Sequence, residues 1–243
     1  MESNEAQQIR PGLAQRMAKT ETPLTWEQFK EATGTTDEAL LRWTAELRPM
    51  HKLYTTGVSH AGMAASRQAC GLMCALLEAG SGELPQRALD LGTGFSTACL
   101  RIFGDVEATS ADDDKQWLEK TRSFLLSNAY TGYGLVTWEE LVATRDAQGM
   151  KGETPPVYDV VFNDLGNIPT RGRHLERVLT MGHLVILDDL HLYERVVREV
   201  LSKMEGWKLY DLTLATLDDF GRYAWAVIWP DGPPAYTPSA TST

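Results

Sequence analysis

The chain has 243 residues, 33 Asp plus Glu against 23 Lys plus Arg, a formal net charge of −10 and 43% hydrophobic content. That acidity argues against an extended nucleic-acid-binding surface, because sequence-independent affinity for phosphates comes from clustered Lys and Arg. The length suits one large domain, or a domain with a small appendage, with enough chain to bury a full core.

The three cysteines, Cys70, Cys74 and Cys99, are odd in number and form no CxxC pair, so they read as small apolar core residues rather than a disulfide or zinc framework. The first twenty residues lack a basic start followed by an apolar run, and no stretch approaches ~18 uninterrupted apolar residues. A cytoplasmic location without membrane association is therefore expected.

In chain order, residues 1–22 read as a flexible arm, 23–80 as a helical cap, 81–230 as the main domain and 231–243 as a disordered tail rich in Pro, Ser and Thr. Thr25 followed by Gln28 fits a capping box, with Trp26 and Phe29 as the first buried face and Gly34 as the stop. Thr35 followed by Glu38 repeats the signal, and Leu40, Leu41, Trp43 and Leu47 extend a second helix to Pro49. A third helix is expected from Gly62 to Ala79, carrying Met63, Cys70, Met73, Cys74, Leu76 and Leu77 and ending at Gly80-Ser81-Gly82.

Beyond Ala88 short apolar runs alternate with helical stretches. Strands are expected at 87–91, 106–111, 135–138, 158–163, 183–187, 207–213 and 223–229, with helices at 96–103, 115–128, 140–146, 171–180 and 192–204. The alternation implies βαβ units and a mostly parallel sheet, closed by an antiparallel pair across the loop at 214–222.

The most informative segment is Arg87-Ala-Leu-Asp-Leu-Gly-Thr-Gly-Phe-Ser-Thr, where Asp90 ends a strand and Gly92 and Gly94 occupy the turn into a helix. Glycine there permits a sharp turn and a close approach of ligand to backbone. A lone Gly-x-Gly also fits a tight turn with no ligand. Asp112 follows Asp90 at the end of the second strand, Trp138-Glu139 ends the third and Asp164 the fourth. Four successive strands thus finish in an acid, at the edge where open α/β sheets bind ligands.

With these residues in view, the chain resembles the class I S-adenosylmethionine-dependent methyltransferases. The carriers are LDLGTGFST (89–97), SADDD (110–114), TWEE (137–140), VVFNDLG (160–166) and LVILDD (184–189), and the resemblance spans roughly residues 60 to 229. It implies an α/β, Rossmann-like, seven-stranded, mostly parallel sheet with an antiparallel last strand, and S-adenosyl-L-methionine as cofactor. By the same resemblance Asp90, Gly92, Thr93, Gly94 and Ser96 line the methionine end, with Asp164 beside them. Asp112 or Asp113 takes the ribose, and Trp138 and Glu139 the adenine. Ser96 stands where many members carry a third glycine.

The resemblance points to O-methylation of a small molecule, and the acceptor hydroxyl must then lose its proton. Two routes are open. One is a divalent cation, Mg²⁺, held by Asp164, Asp188 and Asp189, similar to the metal-dependent catechol, caffeoyl and macrocin O-methyltransferases. Against it, Asn167 replaces the lysine of the catechol type, and the two acids would also serve as helix caps. The other route uses His191 as general base, with Asp164 as the second catalytic candidate.

Arg171, Arg173, Asp219 and Arg222 read as rim residues, Arg222 as a site for an anionic group. His51, His60, His174 and His183 show no ligand spacing. Nucleic-acid N-methyltransferases usually carry two prolines and an aromatic after the fourth strand, and Asn163-Asp164-Leu165-Gly166-Asn167 has neither. The helical region before residue 80 would form a lid or a homodimer surface. The alternatives are a nicotinamide-dependent oxidoreductase, which would want a small third residue where Thr97 stands, and a non-catalytic nucleotide-binding or assembly module on the same fold.

Overall fold

Alternation of apolar residues along the strands supplies both faces of a single sheet. Ala88, Val160, Phe162, Leu184, Ile186 and Ala226 point to one core, and Leu89, Leu91, Val161, Val185, Leu187 and Val227 to the other. A computed structural model describes residues 22–80, 86–104, 106–130 and 134–235. The expected arm, apart from residue 22, and the tail from residue 236 onward lie outside the described residues.

The strands are β1 (Gln86–Leu91), β2 (Val106–Asp112), β3 (Gly134–Thr137), β4 (Tyr158–Asn163), β5 (Gly182–Leu187), β6 (Lys208–Asp211) and β7 (Trp225–Ile228). They form one seven-stranded sheet in the order β3-β2-β1-β4-β5-β7-β6. The first five run parallel, and β7 lies antiparallel between β5 and β6. From β1 the chain winds outward to β3, then returns to β4 on the other side of β1. The strand order therefore reverses between β1 and β4, which is where open α/β sheets form their crevice.

Helices cover both faces. On the first lie α1 (Trp26–Thr33), α2 (Asp37–Glu46), α3 (Arg48–Gly57), α4 (Arg67–Ala79), α5 (Phe95–Phe103) and α6 (Lys115–Ser127), and on the second α7 (Trp138–Met150), α8 (Ile168–Leu179) and α9 (Glu194–Leu201). In α4 every residue from Ala69 to Leu77 is buried, because the helix is enclosed by the sheet on one side and α2 on the other. Cys70, Cys74 and Cys99 are buried free thiols. Leu24 forms a parallel bridge to Tyr210, which ties the start of the helical region to β6. No described helix is long and apolar enough to cross a membrane.

Several boundaries differ from the sequence expectation for identifiable reasons. The cap of α2 is Thr36, whose hydroxyl accepts from the Ala39 amide, rather than Thr35. Pro49 does not stop the helical region but sits in the first turn of α3, where its missing N–H costs nothing. The next helix starts at Arg67, capped by Ser66, and not at Gly62. Gly80 is its C-cap, while Ser81 and Gly82 lie outside the described residues. β3 stops at Thr137, which closes a capping box with Glu140, so Trp138 opens a helix instead of ending a strand. A short helix, α10 (Thr213–Thr216), interrupts the last connection.

Candidate functional site

The loops that leave β1, β2, β4 and β5 converge on a cavity of about 490 Å³ at the strand-order reversal. Gly92–Ser96 form one wall, Asp112–Asp114 with Trp117 a second, and Asp164, Gly166 and Asn167 a third. Asp189 and Arg171 close the far end, and Tyr54 with Gly62–Ala65 contribute from the helical region. A larger depression of about 910 Å³ lies between α3 and α6, away from the strand ends. It lacks the turn glycines and converging strand-end acids, so the chemistry is assigned to the smaller cavity.

The glycines are required by contact. Gly92 has φ +93°, and a Cβ there would lie 2.1 Å from the Asp164 carbonyl oxygen. The Gly92 amide donates to Ala111 O at 2.9 Å and the Asp164 amide to Leu91 O at 2.7 Å, so these loops are drawn together by backbone bonds. At Gly94 a Cβ would sit 2.8 Å from the buried Tyr54 hydroxyl.

Asp112 and Asp90 hold the glycine loop. Asp112 accepts from the Thr93 amide at 2.7 Å, the Thr93 hydroxyl at 2.9 Å and the Asp114 amide at 2.9 Å. Asp113 lines the cavity opposite Gly166, where a Cβ would lie 2.6 Å from its carboxylate oxygens. Asp90 is fully buried and accepts from Thr97 Oγ1 at 2.5 Å, while Thr97 in turn accepts from the Gly94 amide at 3.1 Å. Thr97, a misfit as a third glycine, is thus the pin that fastens the loop to the strand. Its position three residues after Gly94, the capping-box spacing, is the signal that could have marked it.

Burial pushes the Asp90 and Asp112 carboxyls up to about 6, against the hydrogen bonds each accepts. For an acid whose folded value exceeds its unfolded one, the stabilising contribution is complete below the unfolded value and is lost as pH rises through the folded value. Asp90→Asn removes this ionisation. Its stability relative to wild type is therefore expected to rise by roughly 3 kcal/mol between pH 3.5 and pH 6.5, on top of a constant offset from the altered bond to Thr97. Urea denaturation at stepped pH measures it. A difference that stays flat would show that Asp90 ionises in its ordinary range.

At the far end, Arg171 from the first turn of α8 is 6% exposed and reaches into the acids at the ends of β4 and β5. It forms a close ion pair with Asp164, a longer one of 3.4 Å with Asp189, and donates to the Asp188 carbonyl at 3.2 Å. Burial, followed by the neighbouring Asp189 carboxylate, pushes Asp188 up to about 7. Burial likewise raises Asp164, with Arg171 opposing. The rim reading of Arg171 undervalued it, since a charge carried on a helix gives no local sign that it will be buried.

Other expected site residues are placed elsewhere. Trp138 packs into the core with its ring centroid 4.9 Å from that of His174, and Glu139 is exposed on the first turn of α7; neither lines the cavity. His191 is exposed on the 3-10 turn Leu190–Leu192, its ring 6.0 Å from that of Tyr223, and is also outside the cavity wall. Arg222 is not a free anion site, because it pairs with Asp218 at 2.7 Å and donates to the carbonyls of Ala61, Gly62 and Ala64. Those bonds fix the loop that roofs the cavity. Arg173 and Asp219 are exposed. Among the described residues no group of three or more His, Cys, Asp or Glu is arranged to hold a metal ion.

Neither a protein-family model nor a curated protein sequence matches the chain. Among solved structures it is similar to an O-methyltransferase from Bacillus cereus in complex with SAH, at 15% identity over 83% of this chain and 96% of that one, with a TM-score of 0.51. It is also similar to a protein assigned as a caffeoyl-CoA O-methyltransferase from Staphylococcus aureus, at 15% identity over 76% of this chain and 91% of that one, again with a TM-score of 0.51. The chain therefore has the Rossmann-like fold of these methyltransferases. At such identities the likeness establishes the fold alone.

Proposed function

We propose that the protein is an S-adenosylmethionine-dependent methyltransferase that methylates a hydroxyl group of a small molecule. The observation that carries this reading is the cavity at the β1/β4 reversal, with the Gly92–Ser96 turn on one wall and Asp112, Asp113, Asp164 and Asp189 among the residues of the others. Its volume, about 490 Å³, lies within the usual range for a small-molecule or cofactor site. The neighbouring Bacillus cereus structure, an O-methyltransferase with SAH, supports the choice of cofactor.

When bound, the cofactor supplies an electrophilic methyl group on a sulfonium. The residues present suit such a group. Gly92 and Gly94 line the cavity in a turn that also admits the Asp164 carbonyl and the Tyr54 hydroxyl, and Asp113 sets a carboxylate on the opposite wall, where the resemblance places the ribose. Thr93 and Thr97 hold the loop in place before any ligand arrives, so little reorganisation is needed on binding.

The acceptor hydroxyl is assigned to the Asp164–Asp189 end, where Asp189 lines the cavity with its side chain 18% exposed, its Oδ1 buried and its Oδ2 facing Arg171. A carboxylate oxygen there can take the hydroxyl proton, the role first given to His191. Arg171 holds Asp164 and Asp189 in position on the opposite side. The net charge of −10 and the acidic cavity disfavour a nucleic-acid acceptor. Thr97, with its hydroxyl committed to Asp90 and Gly94, likewise disfavours a dinucleotide.

Calorimetric titration with S-adenosylhomocysteine and with NADH tests the cofactor, and a screen of hydroxylated small molecules with labelled methyl donor tests the reaction. Binding of S-adenosylhomocysteine alone is expected, with label appearing in a methyl ether product. Binding of NADH alone overturns the proposal.

A further inference from the structure

Of the acids after β4 and β5, which one of the two routes gave to a metal, Asp164 and Asp189 pair with a guanidinium, whereas Asp188 offers it only its backbone carbonyl and keeps both carboxylate oxygens buried without a hydrogen-bond partner among the described residues. Arg171 enters from α8 because Asn167 caps that helix, accepting from the Thr170 amide at 3.1 Å, and so sets the first turn directly over the strand ends. Its Nη2 pairs closely with Asp164 Oδ1 and also donates to the Gly166 carbonyl at 3.4 Å. Its Nη1 donates to the Asp188 carbonyl at 3.2 Å and faces Asp189 Oδ2 at 3.4 Å. Tyr193 covers the other side, its ring centroid 5.8 Å from the guanidinium carbon.

We infer that Arg171 takes the place of a divalent cation in this cluster, so that the protein binds no metal at Asp164, Asp188 and Asp189 and works without one. Mg²⁺ and Ca²⁺ need several oxygens converging at roughly 2.0–2.6 Å on one point. Here Asp164 and Asp189 direct an oxygen each to a planar fork rather than to a common point. A metal ion could enter only by expelling a buried arginine, or by sitting beside its positive charge. Arginine suits this substitution because it stays charged at every working pH and offers donors in a rigid plane. The site loses the exchangeability of a metal and gains a cation that is present whenever the chain is folded.

The metal-free chemistry rests on the methyl-transfer reading, whereas the metal-binding statement does not. Mn²⁺ is the probe. The full chain is titrated with Mn²⁺, with the free ion followed by electron paramagnetic resonance and the backbone amides of residues 164–167 and 188–190 followed by NMR broadening, with and without S-adenosylhomocysteine. The free-ion signal is expected to stay undiminished. Uptake that leaves those amides sharp lies elsewhere on the chain and agrees with the inference. Stoichiometric uptake that broadens them overturns it, whatever the reaction proves to be. Failure of S-adenosylhomocysteine to bind in the parallel calorimetry would instead overturn the methyl-transfer reading and leave the Mn²⁺ result standing.

Discussion

Replacing Arg171 by methionine is expected to destabilise the protein by about 3–5 kcal/mol at neutral pH, the usual cost of removing one partner from a buried ion pair. The aliphatic part of the side chain is conserved in size, so the loss reports charge and hydrogen bonding more than packing. Asp164 and Asp189 would then lose their shared cation beside the buried Asp188. Neighbouring like charges in a poorly solvated site, which already raise one another's pKa here, cannot all remain ionised.

The deficit should therefore shrink as pH falls and the stranded carboxyls take up protons. Asp188, already raised to about 7 with Arg171 present, would move higher once that cation is gone. Chemical denaturation at pH 7.5 and pH 5 measures both the loss and its pH dependence. Arg173→Met, two residues along the same helix and exposed, serves as the control and should stay within about 0.5 kcal/mol of wild type. An Arg171→Met variant as stable as that control would mean the acids do not depend on the guanidinium.

Gly92→Ala is the second large effect. Its φ of +93° lies where an L-residue pays roughly 1–2 kcal/mol. The added Cβ would also press to 2.1 Å from the Asp164 carbonyl, a backbone atom that no rotamer change can move aside. Overpacking of this kind costs typically about 1–3 kcal/mol, so a total of roughly 2–5 kcal/mol is expected.

Because the strain falls on the contact between the β1 and β4 loops, the cavity should deform even in the molecules that remain folded. Affinity for S-adenosylhomocysteine is expected to drop by at least about tenfold, or ~1.4 kcal/mol. Gly206→Ala provides the contrast. Its φ is +84°, but nothing lies within 4 Å of the added Cβ, so only the conformational cost should appear and binding should be unchanged. Thermal melts and calorimetry on the two variants separate backbone strain from steric conflict. Equal behaviour would remove the case for a forced contact at Gly92.

The legible part of this protein was local. Alternating apolar residues marked the strands, and the turn Asp90-Leu91-Gly92-Thr93-Gly94 marked the place where the chain must bend sharply. The order of strands and helices then implied a parallel sheet, and with it the edge at which a ligand binds. Pro49 was misread because a proline can either end a helix or open one, and the flanking residues did not distinguish the two. Trp138 was misread for a related reason. A strand's last residue and a helix's first are neighbours in sequence, yet Thr137 turns the chain between them and sends the indole into the core.

The acids of the far end show where sequence reasoning stopped. Their clustering after β4 and β5 could be expected from topology, and a cation to balance them could be expected from electrostatics. Nothing in the spacing said that the cation is Arg171, because α8 positions it by packing on the sheet and its partners lie as far as 18 residues away. Periodicity and turn chemistry, being properties of neighbouring residues, sufficed for the alternating α/β pattern, the succession of elements along the chain and the glycine loop. The tertiary structure alone decided that Thr97 pins that loop, that Arg222 ties down the roof, that His191 faces solvent, and that a guanidinium pairs with Asp164 and Asp189. Each of these depends on which side chains meet after the sheet is assembled, and packing settles that through contacts that sequence separation does not encode.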